Sequence, residues 1–224
     1  MRLLREAVLV AGKDLRIEAR SRVVFAQVLP FGGIVLVLFA FALDPDRGLL
    51  PRVAPGLFWI AVLLASLLAV SRAFAIEADN GARDGLRLSG IDPAAIFLGK
   101  TAAVVVELLA LEVVLGAGVV ILYDVRVTGG PALLLASLAA TTGLAATGSV
   151  YGVLAAGLRA RETLVPLLVL PFVAPVMLGG TRAFEAALGG VTSEAWPWVE
   201  LLGVFALMAT TIGVLVFGPL LEES

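Results

Sequence analysis

The chain of 224 residues is 60% hydrophobic and only 15% charged, and its formal net charge is −2. About a quarter of the residues of a soluble domain are charged, so this composition indicates a membrane protein rather than a soluble enzyme. The sequence has no cysteine and no histidine. This excludes disulfides, thiolate chemistry, Ser–His dyads and His-based zinc sites. We expect no metal or cofactor bound by this chain and no nucleic-acid partner.

Residues 1–21 are too charged to cross a membrane, but they follow a helical pattern. At 100° per residue the basic side chains fall within an arc of roughly 80°, and aliphatic side chains occupy the opposite side. The basic residues are Arg2, Arg5, Lys13, Arg16 and Arg20; the aliphatic ones are Leu3, Leu4, Ala7, Val8, Ala11 and Leu15, with Asp14 and Glu18 among them. The pattern predicts a helix in the cytoplasmic interface. The alternative is an ordinary basic flank of the first span.

Six apolar windows follow, each long enough to cross a bilayer. They cover residues 23–43, 53–73, 94–122, 131–158, 164–180 and 199–221. We therefore expect an all-α integral membrane protein, with residues 1–224 forming one transmembrane domain of six helices. Lysine and arginine are concentrated in the N-terminal segment and after the second and fourth windows. The positive-inside rule then places both termini in the cytoplasm.

Residues 181–198, between the last two windows, are too polar to cross the membrane. They contain the helix-like stretch RAFEAAL between two Gly-Gly pairs, followed by Trp196 and Trp198. Tryptophans favour the membrane interface, so we expect a short re-entrant hairpin at the outer face. The prolines at 166, 171 and 175 predict that the preceding window is not one straight helix.

Two acids, Glu107 and Glu112, lie well inside the third window. An ionised carboxylate there costs several kcal/mol unless it is paired or hydrated, so such acids are functional candidates. Five residues apart on a helix, they point about 140° away from each other and cannot share one face. Two interpretations remain open. Each acid is protonated or hydrogen-bonded to a neighbouring helix, or the acids lie on a proton or substrate path.

The stretch LGKT, residues 98–101, looks like the end of a phosphate-binding loop. That motif needs a glycine where this chain has Ala94. The preceding DPAAIF instead predicts a helix start, with Asp92 as N-cap and Pro93 in the first turn. We therefore expect no nucleotide binding by this chain.

The longest charged interruption, FAIEADNGARDGLRLSGIDPAAIFLGKT, begins at residue 74. Within it, residues 77–92 predict a compact elbow, because glycines break the helix, charges expose it and leucines give it an apolar tip. Such an elbow is suited to being gripped by a partner. The residues expected to serve that coupling are Glu77, Asp79, Gly81, Arg83, Asp84, Gly85, Leu86 and Leu88.

Residues 54–100, from APGLFW through the elbow to Lys100, closely resemble the central segment of the haem exporter protein B family. The most specific part is APGLFW combined with Glu77, Gly81, Asp84, Leu86 and Lys100. The elbow alone would fit many permeases of the ABC-2 exporter type. The similarity extends to KDLRIEARSR near the N-terminus and to LVLPFVAP in the fifth window.

The resemblance implies an ABC-2 type permease in the bacterial inner membrane, with an interfacial helix, six spans, a coupling helix after the second span and a broken re-entrant segment after the fifth. It also implies a role in cytochrome c maturation. The implied partners are a cytoplasmic ATPase subunit that binds ATP, a haem-handling membrane subunit and a periplasmic haem chaperone. Haem is then either cargo or is released with the chaperone. A chain without His or Cys suits the mechanical role better. Apart from the resemblance, the apolar windows predict contact with membrane lipids, and Gly148 and Gly152 of the fourth window favour close helix pairing, either within the chain or with a second copy of it.

Two other functions stay open. One is an ABC-2 permease for lipid, polysaccharide or drug. The other is a proton-coupled carrier that uses Glu107 and Glu112, which are not part of the pattern that carries the resemblance and take no role from it.

Overall fold

The computed structural model describes residues 2–21, 26, 28–43, 48–79, 90–156 and 161–223, with only the backbone described at 21, 72, 74–79, 155–156, 161–171 and 222–223. The described residues form seven helices: α1 (Arg2–Ser21), α2 (Leu29–Ala42), α3 (Leu50–Asp79), α4 (Pro93–Tyr123), α5 (Gly130–Ala156), α6 (Arg161–Leu188) and α7 (Thr192–Glu223). No strand occurs in these ranges. The all-helical fold class is confirmed.

Four of the described stretches are long and apolar enough to cross a membrane: Leu50–Ser71, Pro93–Tyr123, Gly130–Leu154 and Thr192–Leu221. Helix α2 is also apolar but shorter. Large hydrophobic side chains such as Phe41, Val113, Ile121, Leu207 and Leu215 lie exposed on the outside of the bundle. This is the surface expected of helices that contact hydrocarbon, because a soluble protein rarely exposes so extended an apolar surface.

The core is built where small residues let helices approach closely, as is typical of helices packed in a membrane. A Cβ added at Gly180 of α6 would lie 2.6 Å from the indole ring of Trp59 on α3. Trp59 is fully buried and meets Phe58 and Phe184 edge-on, while those two rings stack on each other. Gly143 of α5 makes a similar close approach to Phe205 of α7.

The segment predicted as a separate hairpin, residues 181–198, takes a different form. Helix α6 runs without interruption through Gly179 and Gly180 to Leu188. The glycines do not break the helix because their missing side chains are used for packing, Gly180 against Trp59 and Gly179 against Leu202. The chain instead reverses at Gly190, which has φ +82°, and α7 starts at Thr192 and continues through Trp196 and Trp198.

Helix α1 confirms the predicted helix of residues 1–21 and packs lengthwise on the first half of α4. Ala7 and Val10 are buried, whereas Leu4, Val8 and Leu9 are exposed. The apolar residues of α1 therefore fall into two groups, one buried against α4 and one exposed. The sequence pattern, which divided the helix only into a basic and an aliphatic side, did not distinguish these two groups.

Candidate coupling site and intramembrane acids

Most of the predicted coupling residues lie outside the described residues. Gly81, Arg83, Asp84, Gly85, Leu86 and Leu88 belong to this group, since the description ends at 79 and resumes at 90. Glu77 and Asp79 lie in the last turn of α3, where only the backbone is described. The coupling role of these residues stays a prediction.

The described chain resumes at Gly90, just before the start of α4. Gly90 adopts φ +66°, a left-handed conformation that suits glycine, and the chain then turns into α4. The Asp92 carboxylate caps that helix by accepting a hydrogen bond of 2.9 Å from the backbone N–H of Ala94, with Pro93 in the first turn. This confirms the helix start predicted from the sequence. The cap fixes the point at which α4 begins.

Helix α1 holds this same point through Glu6. The backbone N–H of Asp92 donates to Oε2 of Glu6 at 3.2 Å, and Nε of Arg2 donates to Oε1 at 2.7 Å. The hydrogen bond from Arg2 and then that from the Asp92 backbone hold the pKa of Glu6 below its ordinary value. The carboxylate is thus ionised at neutral pH and links the start of α1 to the start of α4.

A second link lies two turns further along both helices. Lys100 is only 2% exposed, and its Nζ lies 3.5 Å from Oδ2 of Asp14. Asp14 also contacts Lys13 at 2.9 Å. Because a buried ammonium needs compensating partners, the carboxylate of Asp14 on α1 helps to stabilise Lys100 in its buried position. This explains why Asp14 interrupts the aliphatic side of α1, which was the one sign of the pair in the sequence.

The LGKT stretch lies inside α4 rather than in a loop. A Cβ on Gly99 would come within 2.6 Å of both the backbone oxygen of Ala7 and the Cβ of Val10. The absence of a side chain there permits close contact with α1. Gly99 and Lys100 therefore serve helix packing, in agreement with the expectation that LGKT is not a phosphate loop.

The two intramembrane acids occupy different surroundings on α4. Glu112 is buried, with 5% of its surface exposed, and the hydroxyl of Thr141 on α5 donates to its Oε1. Its Oε2 accepts no hydrogen bond from any described residue. Glu107 is half-buried and does not line the cavity that contains Glu112. This agrees with the prediction that the two acids do not share a face.

The opposite end of the bundle is closed by contacts between the α4–α5 connection and the α6–α7 turn. The Thr128 hydroxyl donates to the backbone oxygen of Ala187 at 2.6 Å. A Cβ on Gly129, which has φ +61°, would meet Ala187 and Thr192 at 3.1 Å. We call this the Gly129 end of the bundle, and the end with the Asp92 cap the Asp92 end.

Long apolar helices, lipid-facing hydrophobic side chains and small-residue packing define a helical membrane protein with several spans. Within that class, the family model described as CcmB protein matches residues 5–223, and the chain belongs to this family. Relatives named heme exporter protein B include those of three bacteria. That of Pseudomonas aeruginosa is 32% identical over 207 residues, which cover 92% of this chain and 93% of the relative. That of Paracoccus denitrificans is 30% identical over 214 residues, which cover 92% of each chain. That of Bradyrhizobium diazoefficiens is 34% identical over 183 residues, 80% of each chain. The resemblance seen in residues 54–100 is confirmed.

Proposed function

We propose that this chain is the transmembrane permease subunit of an ABC complex for cytochrome c maturation. Membership of the CcmB family and relatives named heme exporter protein B support this function. A separate cytoplasmic subunit binds and hydrolyses ATP, and this chain does not. The placement of Gly99 and Lys100 inside a packed helix supports that division of labour.

The observation that carries a coupling role is the double link between α1 and α4 at the Asp92 end. Glu6 accepts a hydrogen bond from the backbone N–H of Asp92, the N-cap of α4, and Asp14 pairs with the buried Lys100 two turns further along the helix. Force applied by an ATPase to the elbow would enter α4 at Asp92. Because α1 is joined there, it would move with α4 as one unit toward the Gly129 end.

The proposed arrangement is an ABC-2 type permease with six transmembrane helices and both termini in the cytoplasm of a bacterial inner membrane. The elbow then faces the ATPase, and the Gly129 end faces the periplasm. There it is available to a haem-handling membrane subunit and to a haem chaperone, while lipids or a second copy of this chain cover the exposed apolar sides. ATP hydrolysis drives haem export or release of the loaded chaperone.

Co-purification tests the proposed function. The tagged chain, extracted from its native membrane in mild detergent, is expected to retain an ABC ATPase together with a haem-handling protein. Mass spectrometry identifies the retained partners. An ATPase accompanied by enzymes of lipid or polysaccharide synthesis would instead favour another cargo. Retention of no ATPase would favour the proton-coupled carrier and would contradict the proposal.

The topology makes a separate prediction. The chain has no native cysteine, so Val191→Cys introduces a single thiol at an exposed residue of the α6–α7 turn. This thiol is expected to react with a membrane-impermeant maleimide added to the outside of intact spheroplasts. Ala19→Cys, on the exposed side of α1, is the matched cytoplasmic control and should react only after lysis. The reverse labelling pattern would contradict the proposed orientation.

A further inference from the structure

A cavity of about 330 Å³ lies between α3, α4, α5 and α6 in the half of the bundle nearer the Gly129 end. Only Glu112 and Ser137 among its lining residues carry polar side chains. The remaining lining residues are Ala54, Pro55, Phe58, Leu109, Val113, Gly116, Val119, Val120, Val125, Val127, Leu133, Leu134, Leu138, Phe184 and Leu188. The volume lies at the lower end of the range for small-molecule sites.

The single strong polar group in this cavity is only partly satisfied by the protein. Glu112 is buried, its Oε1 accepts from Thr141, and the hydroxyl of Ser137 also interacts with the carboxyl, but no described residue lies within hydrogen-bond distance of Oε2. A buried carboxyl oxygen without a partner costs about 1–3 kcal/mol or more. A ligand that offers this oxygen a hydrogen bond would recover that free energy.

The cavity opens sideways onto the lipid-facing surface. Val113 on α4, Leu134 on α5 and Val127 in the connection between these helices line it and are at least 60% exposed. Glu112 lies 11 residues before the end of α4 at Tyr123, which places its Cα roughly 16 Å from that end. A ligand would therefore enter from the hydrocarbon region and reach the carboxyl there.

The chemistry of the lining selects the kind of ligand. Water filling so apolar a space would lack the two to four polar partners that each buried water needs. Burying an ammonium costs a desolvation free energy that its interaction with one carboxyl barely offsets. The desolvation of a neutral hydroxyl costs less. The hydroxyl can also donate to an ionised carboxylate or accept from a protonated one, so it satisfies Oε2 in either state.

We propose that this cavity binds an uncharged, membrane-dissolved molecule bearing an alcohol or phenol hydroxyl, with the hydroxyl on Oε2 of Glu112 and the apolar body against Phe58 and Phe184. This site does not depend on the proposed function. Glu112 lies 20 residues along α4 from Asp92, roughly 30 Å at 1.5 Å per residue. Glu112 is then a ligand-binding residue, which is a more specific role than either interpretation left open by the sequence.

Trp59 reports directly on this site. Its ring centre lies 5.6 Å from that of Phe58 and 5.3 Å from that of Phe184, and both phenylalanines line the cavity. The other two tryptophans, at 196 and 198, are replaced by phenylalanine, which leaves Trp59 as the only tryptophan in the chain. Bromine quenches indole fluorescence on close approach. The probes are a long-chain alcohol brominated beside its hydroxyl and the matching bromoalkane, compared at equal mole fraction in nanodiscs.

The alcohol is expected to quench Trp59 at a roughly tenfold lower mole fraction than the alkane, because only the alcohol can hydrogen-bond to Oε2 of Glu112 and so remove the cost of its missing partner. Glu112→Leu should abolish this preference. The matched change Glu107→Leu should leave it intact, because Glu107 does not line the cavity. Equal quenching by both probes in the unmodified site, or a preference that survives Glu112→Leu, would overturn the proposal.

A second variant tests the cavity while Glu112 is kept. A Cβ on Gly116 would lie 3.9 Å from the ring of Phe58, an ordinary contact, so Gly116→Leu can be accommodated and its side chain would occupy the cavity. Quenching by both probes should fall by at least about tenfold, since the volume that receives the apolar body is filled. Unchanged quenching in this variant would show that the probes bind elsewhere and would contradict the site.

Discussion

Asp84→Lys is expected to leave the chain inserted and folded and to reduce ATPase retention about thirtyfold. The reason is that the sequence predicts a charged elbow around Asp84 with leucines at its apolar tip, and the described helices α3 and α4 lie on either side of it along the chain. A charge that faces a complementary group on a partner fixes register, and reversing it costs about 2 kcal/mol or more. That cost corresponds to roughly a thirtyfold loss of affinity. Cytochrome c maturation should fall with it.

The measurement is quantitative co-purification of the ATPase subunit, together with the yield of a reporter c-type cytochrome in cells that depend on the variant. Gly81→Trp should have the same effect, because a bulky side chain would prevent close approach of the partner. Glu194→Lys is the matched control: it reverses an exposed acid at the start of α7, at the Gly129 end of the bundle, and should retain the ATPase. A merely solvated loop would predict that all three changes are nearly silent. Full maturation in Asp84→Lys and Gly81→Trp would therefore refute the coupling role.

Gly99→Leu is expected to detach α1 from α4. Its Cβ would lie 2.6 Å from the backbone oxygen of Ala7, and a backbone atom cannot move aside as a flexible side chain can. Overpacking of this kind costs about 1–3 kcal/mol and here falls on a single helix–helix contact. The expected result is a chain whose other helices remain assembled while α1 becomes susceptible to protease.

Limited proteolysis of the purified chain measures this effect, with cleavage within residues 2–21 expected to accelerate at least about fivefold. Gly118→Ala on the same helix is the control, because its Cβ would make an ordinary contact of 3.5 Å with Leu36. Detachment should also reduce cytochrome c maturation if α1 and α4 move together. Protection of α1 equal to that of the unsubstituted chain would contradict the packing described here. Loss of α1 protection with full maturation would leave the packing intact and contradict its part in coupling.

Helix class, helix positions and the α4 cap were predictable because their signals are local. A run of apolar residues decides that a segment prefers lipid, and the adjacent Asp92 and Pro93 decide where a helix starts. The same local signals led to a wrong prediction at Gly179 and Gly180, where α6 continues without a break. Adjacent glycines predict a break, but their effect depends on what packs against them, and here Trp59 and Leu202 fill the space.

The candidate sites divide in the same way. The sequence identified Glu112 as a carboxylic acid inside an apolar window and predicted that Glu107 lies on a different face of the same helix. It did not show that Thr141, 29 residues away, takes one carboxyl oxygen and leaves the other directed into a cavity. Nor did it identify Lys100 as the partner of Asp14, although an acid on the aliphatic side of α1 was a sign that something charged lay opposite.

By itself, the sequence determined that this is a helical membrane protein, the approximate position of most of its helices and, through the resemblance of residues 54–100, its family. These properties follow from composition, from short-range periodicity and from motifs contained in one stretch of chain. Only the tertiary structure decided that Glu6 holds Asp92 and that Asp14 pairs with Lys100, each across 86 residues. It also decided that an unsatisfied carboxyl oxygen lies in an apolar cavity. Such pairings arise because buried charges and polar groups must find partners wherever helix packing places them, which no local pattern specifies.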